Sequence, residues 1–204
     1  MLWQILIPTV ESRTKLLCEL LDILSPQLDD DVEVLAYRDN REAGVGFKRN
    51  YLVSVADADY VSHVDDDDLV PDDFVSTIKP LLDGVDTVNF QIRANGSKYH
   101  DFIIYHGLGK TPMWFGDHRD CDIGHIMPMK RELHARGRFA EGWGDDQQWA
   151  AQVRMRRSIR TEHLIPRVMY EYRVSDGSLW NGEKPCAERT PDPEYPHVRY
   201  VRGD

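Results

Sequence analysis

No stretch of the 204 residues is apolar for long enough to cross a membrane as a helix. Cysteine is almost missing: Cys18, Cys121 and Cys186 stand far apart, without the count or paired spacing of a disulfide framework or a structural zinc site. That scarcity suits a reducing interior. The opening Met1-Leu2-Trp3-Gln4-Ile5-Leu6-Ile7-Pro8 lacks the basic lead and the length of a secretory signal, so the expected location is the cytoplasm. Positive charge is also scarce: 25 Lys and Arg face 35 Asp and Glu, a net charge of −10, which works against non-specific capture of nucleic acid or anionic lipid. Phosphate-binding glycine loops are absent, since Gly44-Val45-Gly46 fits neither a Walker loop nor GxGxxG. What remains, 41% hydrophobic and 29% charged residues, is globular and long enough to bury one core.

The chain turns on Val61-Ser62-His63-Val64-Asp65-Asp66-Asp67-Asp68-Leu69-Val70-Pro71, where a short Val-rich strand at 60–64 opens into four consecutive aspartates. Ahead of it, periodicity places a strand at 3–7 ended by Pro8-Thr9. A helix opened by Ser12 carries Leu17, Leu20, Leu21 and Leu24 to a stop at Pro26, and a strand at 32–37 ends on Arg38-Asp39-Asn40. A second helix follows Gly44, with Phe47, Leu52, Val55 and Ala56 on its apolar side. Strand, helix, strand of this length is the βαβ signature of a nucleotide-type sheet. Beyond the aspartates, Pro71 opens a helix favoured by Asp72 and Asp73. Residues 87–93 then alternate as a strand whose wet face is Thr87, Asn89 and Gln91, and Asn95-Gly96 turns it back into a hairpin at 99–106. Residues 107–122 read as a long mobile loop, 123–129 as a short apolar strand and 130–136 as a basic helical turn. Asp145-Asp146 heads a helix through Trp149 and Val153, and 164–174 is strand-like. The expected organisation is one domain over 1–180 and a polar, Pro-rich tail over 181–204.

Ligands of an open α/β sheet sit at the carboxyl ends of its strands, and there the four aspartates stand. Adjacent like charges repel, so holding them in a sheet-end loop is destabilising unless a cation offsets them. A hard divalent ion suits carboxylate oxygens, and magnesium takes only one or two of these together with substrate phosphates. A merely solvated acidic turn is the alternative. An EF-hand is excluded, because the loop lacks its glycine and its distal glutamate.

In chain order, the pieces Ile7-Pro8-Thr9, Asp39, Lys48-Arg49-Asn50, Val64-Asp65-Asp66-Asp67-Asp68 with Pro71, Gly144-Asp145-Asp146, and Tyr172-Arg173 with Ser178 resemble the GT-A glycosyltransferases. They resemble most the inverting family 2, whose donors are nucleotide-diphosphate sugars. The likeness covers 5–178; single pieces are weak, but their order is specific. It implies an α/β, Rossmann-like GT-A fold: a mainly parallel central sheet flanked by helices, with a small antiparallel hairpin. It also implies Mn2+ or Mg2+, a UDP-sugar as favoured donor, and a soluble hydroxyl acceptor such as a protein, a glycan, a small molecule or a modified nucleic acid.

On that resemblance Asp67 is the metal ligand and Asp65 sits on the ribose or the metal, while Asp66 and Asp68 support the donor site from behind these, or Asp68 orients the sugar. Asp39 holds the nucleobase, or only forms a turn, while Pro8 and Thr9 line the same pocket through their backbone. Arg49 braces the aspartate loop, faces a phosphate, or is only a solvated helix arginine. Asp146 is the general base and Asp145 its neighbour where relatives carry glutamate; the bland alternative is that both cap the helix. Trp143 is a stacking candidate for an acceptor sugar or simply a core tryptophan. The chain departs from the family after Tyr172-Arg173, where a metal-side histidine is often found and here Val174, Ser175 and Asp176 follow. Asp176 or a nearby histidine takes that role, or metal binding leans on the aspartates alone. His63, His118 and His125 receive no assignment. Two rival readings are a sugar-phosphate nucleotidyltransferase, disfavoured by the missing phosphate loop, and a nucleotide-sugar binding protein without catalysis.

Overall fold

The computed structural model describes residues 2–95, 101–142, 144–173 and 195–201. In chain order the elements are β1 (Trp3–Val10), α1 (Thr14–Leu24), β2 (Val32–Asp39), α2 (Val45–Val55), β3 (Tyr60–His63), α3 (Phe74–Ile78), β4 (Thr87–Asn95) and β5 (Phe102–His106). They continue with β6 (Met113–Phe115), β7 (His118–Cys121), β8 (Met129–Lys130), α4 (Arg131–His134), α5 (Asp145–Met155), β9 (Glu162–Arg173) and β10 (Val198–Val201). They build one mixed sheet in the order β10-β2-β1-β3-β8-β4-β5-β7-β6, with β9 also paired to β4. The β1, β2 and β3 strands run parallel, β8 runs against β3, and β4 runs with β9 and against β5.

Burial explains the parallel strands. Trp3, Ile5, Ile7, Val32 and Val34 pack against the Leu17, Leu20, Leu21 and Leu24 stripe of α1, while Leu6, Leu35 and Val61 meet Leu52 and Val53 of α2 on the opposite face. Several expectations need correction. Pro8 and Thr9 do not end β1. Leu6 directs its carbonyl to Val64 on the β3 side, so Pro8, two residues on, turns its missing N–H to the side where β3 has already stopped. Ser12 caps nothing, since Glu11–Arg13 form a 3-10 turn ahead of α1. Pro71 lies three residues before α3, where its carbonyl accepts from the amides of Phe74 and Gln27. Asp73 takes the cap position instead and also pairs with Arg167.

The apolar side of α2 is not the one expected. Phe47 and Val55 are exposed, while Lys48 and Arg49 are buried beside Leu52 because both reach carboxylates. Gly46 is required by close approach, since a Cβ there would stand 2.2 Å from the carbonyl oxygen of Ala140. The wet face expected for β4 is dry at Thr87 and Asn89, whose side chains bond Pro128 and Glu162. The hairpin stands, with β5 antiparallel to β4, although its turn at 96–100 lies outside the described residues. Residues 107–122 are no structureless loop: β6 and β7 form inside them, β7 beside β5, tied by Phe102–Trp114 and Tyr105–His118 ring contacts. Of the strand expected at 123–129 only Met129 lies in a strand, the two-residue β8 that ends at Lys130, because 124–127 is a turn. Of the expected tail, 198–201 adds β10 parallel to β2.

Candidate active site

The aspartates leave β3 at the carboxyl ends of the parallel strands and alternate in direction. Asp65 and Asp67 expose 25% and 15% of their side chains, whereas Asp66 and Asp68 are only 1% exposed. The inward pair anchors the loop. Asp66 accepts from Thr9 Oγ1 at 2.6 Å and from Arg13 Nη1 at 2.6 Å. Asp68 accepts from Tyr170 Oη at 2.7 Å and from the Arg173 amide at 2.8 Å, and the Asp65 amide donates back to Tyr170 Oη at 3.1 Å. Arg13 also reaches Asp67 at 2.7 Å, and Arg173 Nε donates to the Asp67 carbonyl.

Arg49 sits beside Asp65 of the outward pair. One guanidinium nitrogen meets Asp65 at 2.7 Å and the other Asp145 at 2.6 Å, joining the central loop to the head of α5. Of the readings open to it, Arg49 braces the loop rather than lying solvated on the helix. Asp145 is spent on that pair, leaving its neighbour Asp146 without a cationic partner among the described residues. Burial, then Asp145 and Asp65, push the Asp146 carboxyl above its ordinary value, while the Gln147 amide works the other way. Asp146 also contributes to raising the Cys121 thiol and the Tyr172 hydroxyl, both lifted first by burial, so it lies within electrostatic reach of both.

Asp39 ends β2 with its carboxylate fully occupied by the amides of Arg41 and Ala43 and by Lys48 Nζ, which also donates to the Thr9 carbonyl at 2.7 Å. Pro8 lies beside Tyr37 in the same β1–β2 register. Asp39, Pro8 and Thr9 are thus brought together, but Thr9 acts on Asp66 through its hydroxyl. Trp143, Ser175, Asp176 and Ser178 lie outside the described residues. Sequence reasoning missed Arg13 and Tyr170. A basic residue just past β1 was a readable signal; a tyrosine late in an apolar strand was not.

Beneath Arg49, His63, His134 and Phe139 pack at ring separations of 5.2 to 6.0 Å, with Trp149 stacked on Phe139. Burial, reinforced by the neighbouring histidine and Arg49, keeps His63 well below its ordinary value, and burial takes His134 to about 3. These buried rings form the floor beneath Arg49.

Burial lifts the Asp66 carboxyl to about 7, against the pull of Arg13 and the Thr9 hydroxyl. A folded pKa raised above the unfolded one means that the folded state holds the extra proton between pH 4 and 7, so this group's contribution to stability falls as pH rises through that window. At pH 5 Asp66→Asn is nearly an isostere of the protonated acid. At pH 8 it removes a buried charge and gains about 2 kcal/mol on the parent, roughly 5 °C in Tm. Melting both proteins at the two pH values without divalent ions checks this; an Asn variant that loses ground at pH 8 contradicts it.

No family model and no curated protein sequence matches the chain. Solved structures do match its fold. S. aureus TarS 1-349 in complex with UDP-GlcNAc aligns with a TM-score of 0.65 at 14% identity, over 87% of this chain and 60% of that one. Glucosyl-3-phosphoglycerate synthase from Mycobacterium tuberculosis in complex with Mg2+ and UDP aligns at 0.56 with 15% identity, over 88% and 74%. The same enzyme with Mn2+, UDP and phosphoglyceric acid gives 0.56 and 15%, over 88% and 73%. The chain spans three fifths of the length of the TarS fragment it matches. Its α/β sheet is the GT-A fold.

Proposed function

We propose that the chain is a metal-dependent, inverting glycosyltransferase that moves a sugar from a UDP-sugar to an acceptor hydroxyl in the cytoplasm. The observation that carries this is the alternation of the aspartates: Asp66 and Asp68 turn inward as anchors, and Asp65 and Asp67 alone face out, two residues apart. Among the described residues no three His, Cys, Asp or Glu side chains gather into a metal cage. Two outward carboxylates still fit a hard divalent ion whose remaining ligands come from a diphosphate and water. When bound, such an ion supplies Lewis-acid neutralisation of the leaving diphosphate. Arg173 Nη2, buried and without a hydrogen-bond partner among the described residues, offers a further donor beside the same loop.

In the proposed reaction the acceptor oxygen attacks the anomeric carbon and the carbon–oxygen bond to the diphosphate breaks. Asp146 takes the hydroxyl proton, and UDP leaves. Asp146 suits the task because among the described residues no cation forms an ion pair with it and, despite the pull of Arg49, burial raises its pKa, which makes it a better base. Arg49 fixes α5, and therefore Asp146, relative to Asp65.

UDP is expected to stabilise the protein strongly only with Mn2+ or Mg2+ present. At a hundredfold excess over Kd the gain is about 2.7 kcal/mol, several degrees in a melting scan. Asp67→Ala erases the metal dependence. Equal UDP shifts in chelator and in manganese reject the reading.

A further inference from the structure

The net charge of −10 is unevenly placed. Residues 130–160 hold eight of the 25 Lys and Arg but only four of the 35 Asp and Glu, and from 147 to 161 no carboxylate side chain occurs. The basic helical turn at 130–136 is one part of this excess; the carboxyl end of α5 is the other. Packing joins them. Gly137 lies so close to α5 that a Cβ there would meet Trp149 Cδ1 at 2.6 Å and Val153 Cγ2 at 2.8 Å. Gln152 holds the Arg138 backbone from both sides, accepting from its amide at 3.1 Å and donating to its carbonyl at 3.0 Å. Met155 and Arg156 follow Gln152 by three and four residues, so they stand on the side of α5 where the chain through Arg136 and Arg138 crosses it. Arg154 and Arg157 flank them on the neighbouring side, where both border a cleft lined by Leu108 and Ile159.

Arg136, Arg138, Arg154, Arg156 and Arg157 are all exposed, and among the described residues none of them pairs with a carboxylate. A helix dipole is served by one cation in the last turn, and Arg154 alone supplies it. Five unpaired cations in one place repel one another. Arg157 adds a backbone cost, since its φ of 46° lies in the left-handed region that glycine favours. Amid them Met155 is 80% exposed, more than any other large apolar side chain among the described residues. Cations grouped round a bare apolar side chain match a surface that offers phosphate and hydrocarbon together.

We propose that the carboxyl end of α5 docks on an anionic phospholipid surface, with the arginines on headgroup phosphates and Met155 in the acyl boundary. Each arginine near such a surface adds to binding, and the attraction dies away within a Debye length, so the acidic remainder of the chain, turned away, opposes it little. The unbranched thioether enters hydrocarbon with no strong hydrogen bond to give up. A nucleic acid would answer the arginines but not Met155, and the group offers no aromatic face on which a base could stack. Asp146 lies nine residues back along α5, roughly 14 Å, so the candidate site stays clear of the surface. This docking goes beyond the transferase reading and does not depend on it.

The test co-sediments the full chain with vesicles of phosphatidylcholine alone or with about a third phosphatidylglycerol. The mixed vesicles are expected to bind at least about tenfold more tightly, and most of that preference is lost between roughly 0.1 and 0.5 M salt. Arg154→Gln, Arg156→Gln and Arg157→Gln combined lower the affinity by about a hundredfold, and Met155→Gln lowers it severalfold without changing the salt dependence. Tm holds in both. If the triple variant melts early, Arg136→Gln with Arg138→Gln takes its place, with an expected loss of at least about tenfold. A parent indifferent to phosphatidylglycerol overturns the proposal, as do folded arginine variants that bind like the parent. Tighter binding to a short DNA duplex than to the vesicles, with Met155→Gln changing neither, overturns it in favour of a nucleic acid.

Discussion

Asp146→Asn is expected to lower transfer by roughly 10²- to 10⁴-fold, the range lost with a positioned general base, and to leave UDP and metal binding nearly intact. The carboxylate is partly buried on the first turn of α5, and its neighbour Asp145, not Asp146 itself, is bound to Arg49. Asn matches the shape and serves the start of a helix about as well as Asp, so only the acceptor for the hydroxyl proton is removed. The parent should also show an acid limb in kcat/KM above the ordinary carboxylate range, because burial raises this group and only its ionised form takes a proton. Measuring donor binding, Tm and transfer for the parent, Asp146→Asn and Asp145→Asn separates the roles. The Asp145 change weakens the brace to Arg49 and lowers Tm. Full activity in Asp146→Asn rejects the base.

Arg49→Met should destabilise by about 3–5 kcal/mol, the usual result of breaking a buried ion pair from one side. At 2–4 °C per kcal/mol for a chain of this size the Tm falls by about 6–20 °C. Both carboxylates lose their partner at once, and Asp145 keeps only 10% of its side chain in water. Adding Asp145→Asn to Arg49→Met removes one stranded charge and should recover part of the loss, so the double variant is more stable than the sum of the single changes. Arg49→Lys falls between, since one ammonium does not span two carboxylates as a fork does. A stable Arg49→Met protein contradicts the bracing role.

The parallel half of the sheet was legible because burial on both faces leaves apolar runs, as in Trp3-Gln4-Ile5-Leu6-Ile7, that no neighbour has to explain. The leucine stripe of α1 was legible for the same reason. Side chains whose placement depends on distant partners were not. Arg49 was open to being a solvated helix arginine, but Asp65 and Asp145 draw it inside, as Asp39 does Lys48. Thr87 and Asn89 read as wet until β9 brings Glu162 over. The aspartate loop announced its charge, whereas its alternation of anchors and outward groups depends on Arg13, Tyr170 and Arg173, up to 106 residues away.

That distance has a consequence for how the protein comes into being. A chain leaves the ribosome from its amino end, at about 5–20 residues per second. The β1–β3 core and its four aspartates are therefore made well before Tyr170 and Arg173 arrive to clamp them. Until β9 zips onto β4, the nascent chain carries a concentrated negative loop with half of its fasteners missing. The aspartate loop is therefore made before the clamp that holds it, and a chain terminated before β9 would hold most of the sheet and none of that clamp.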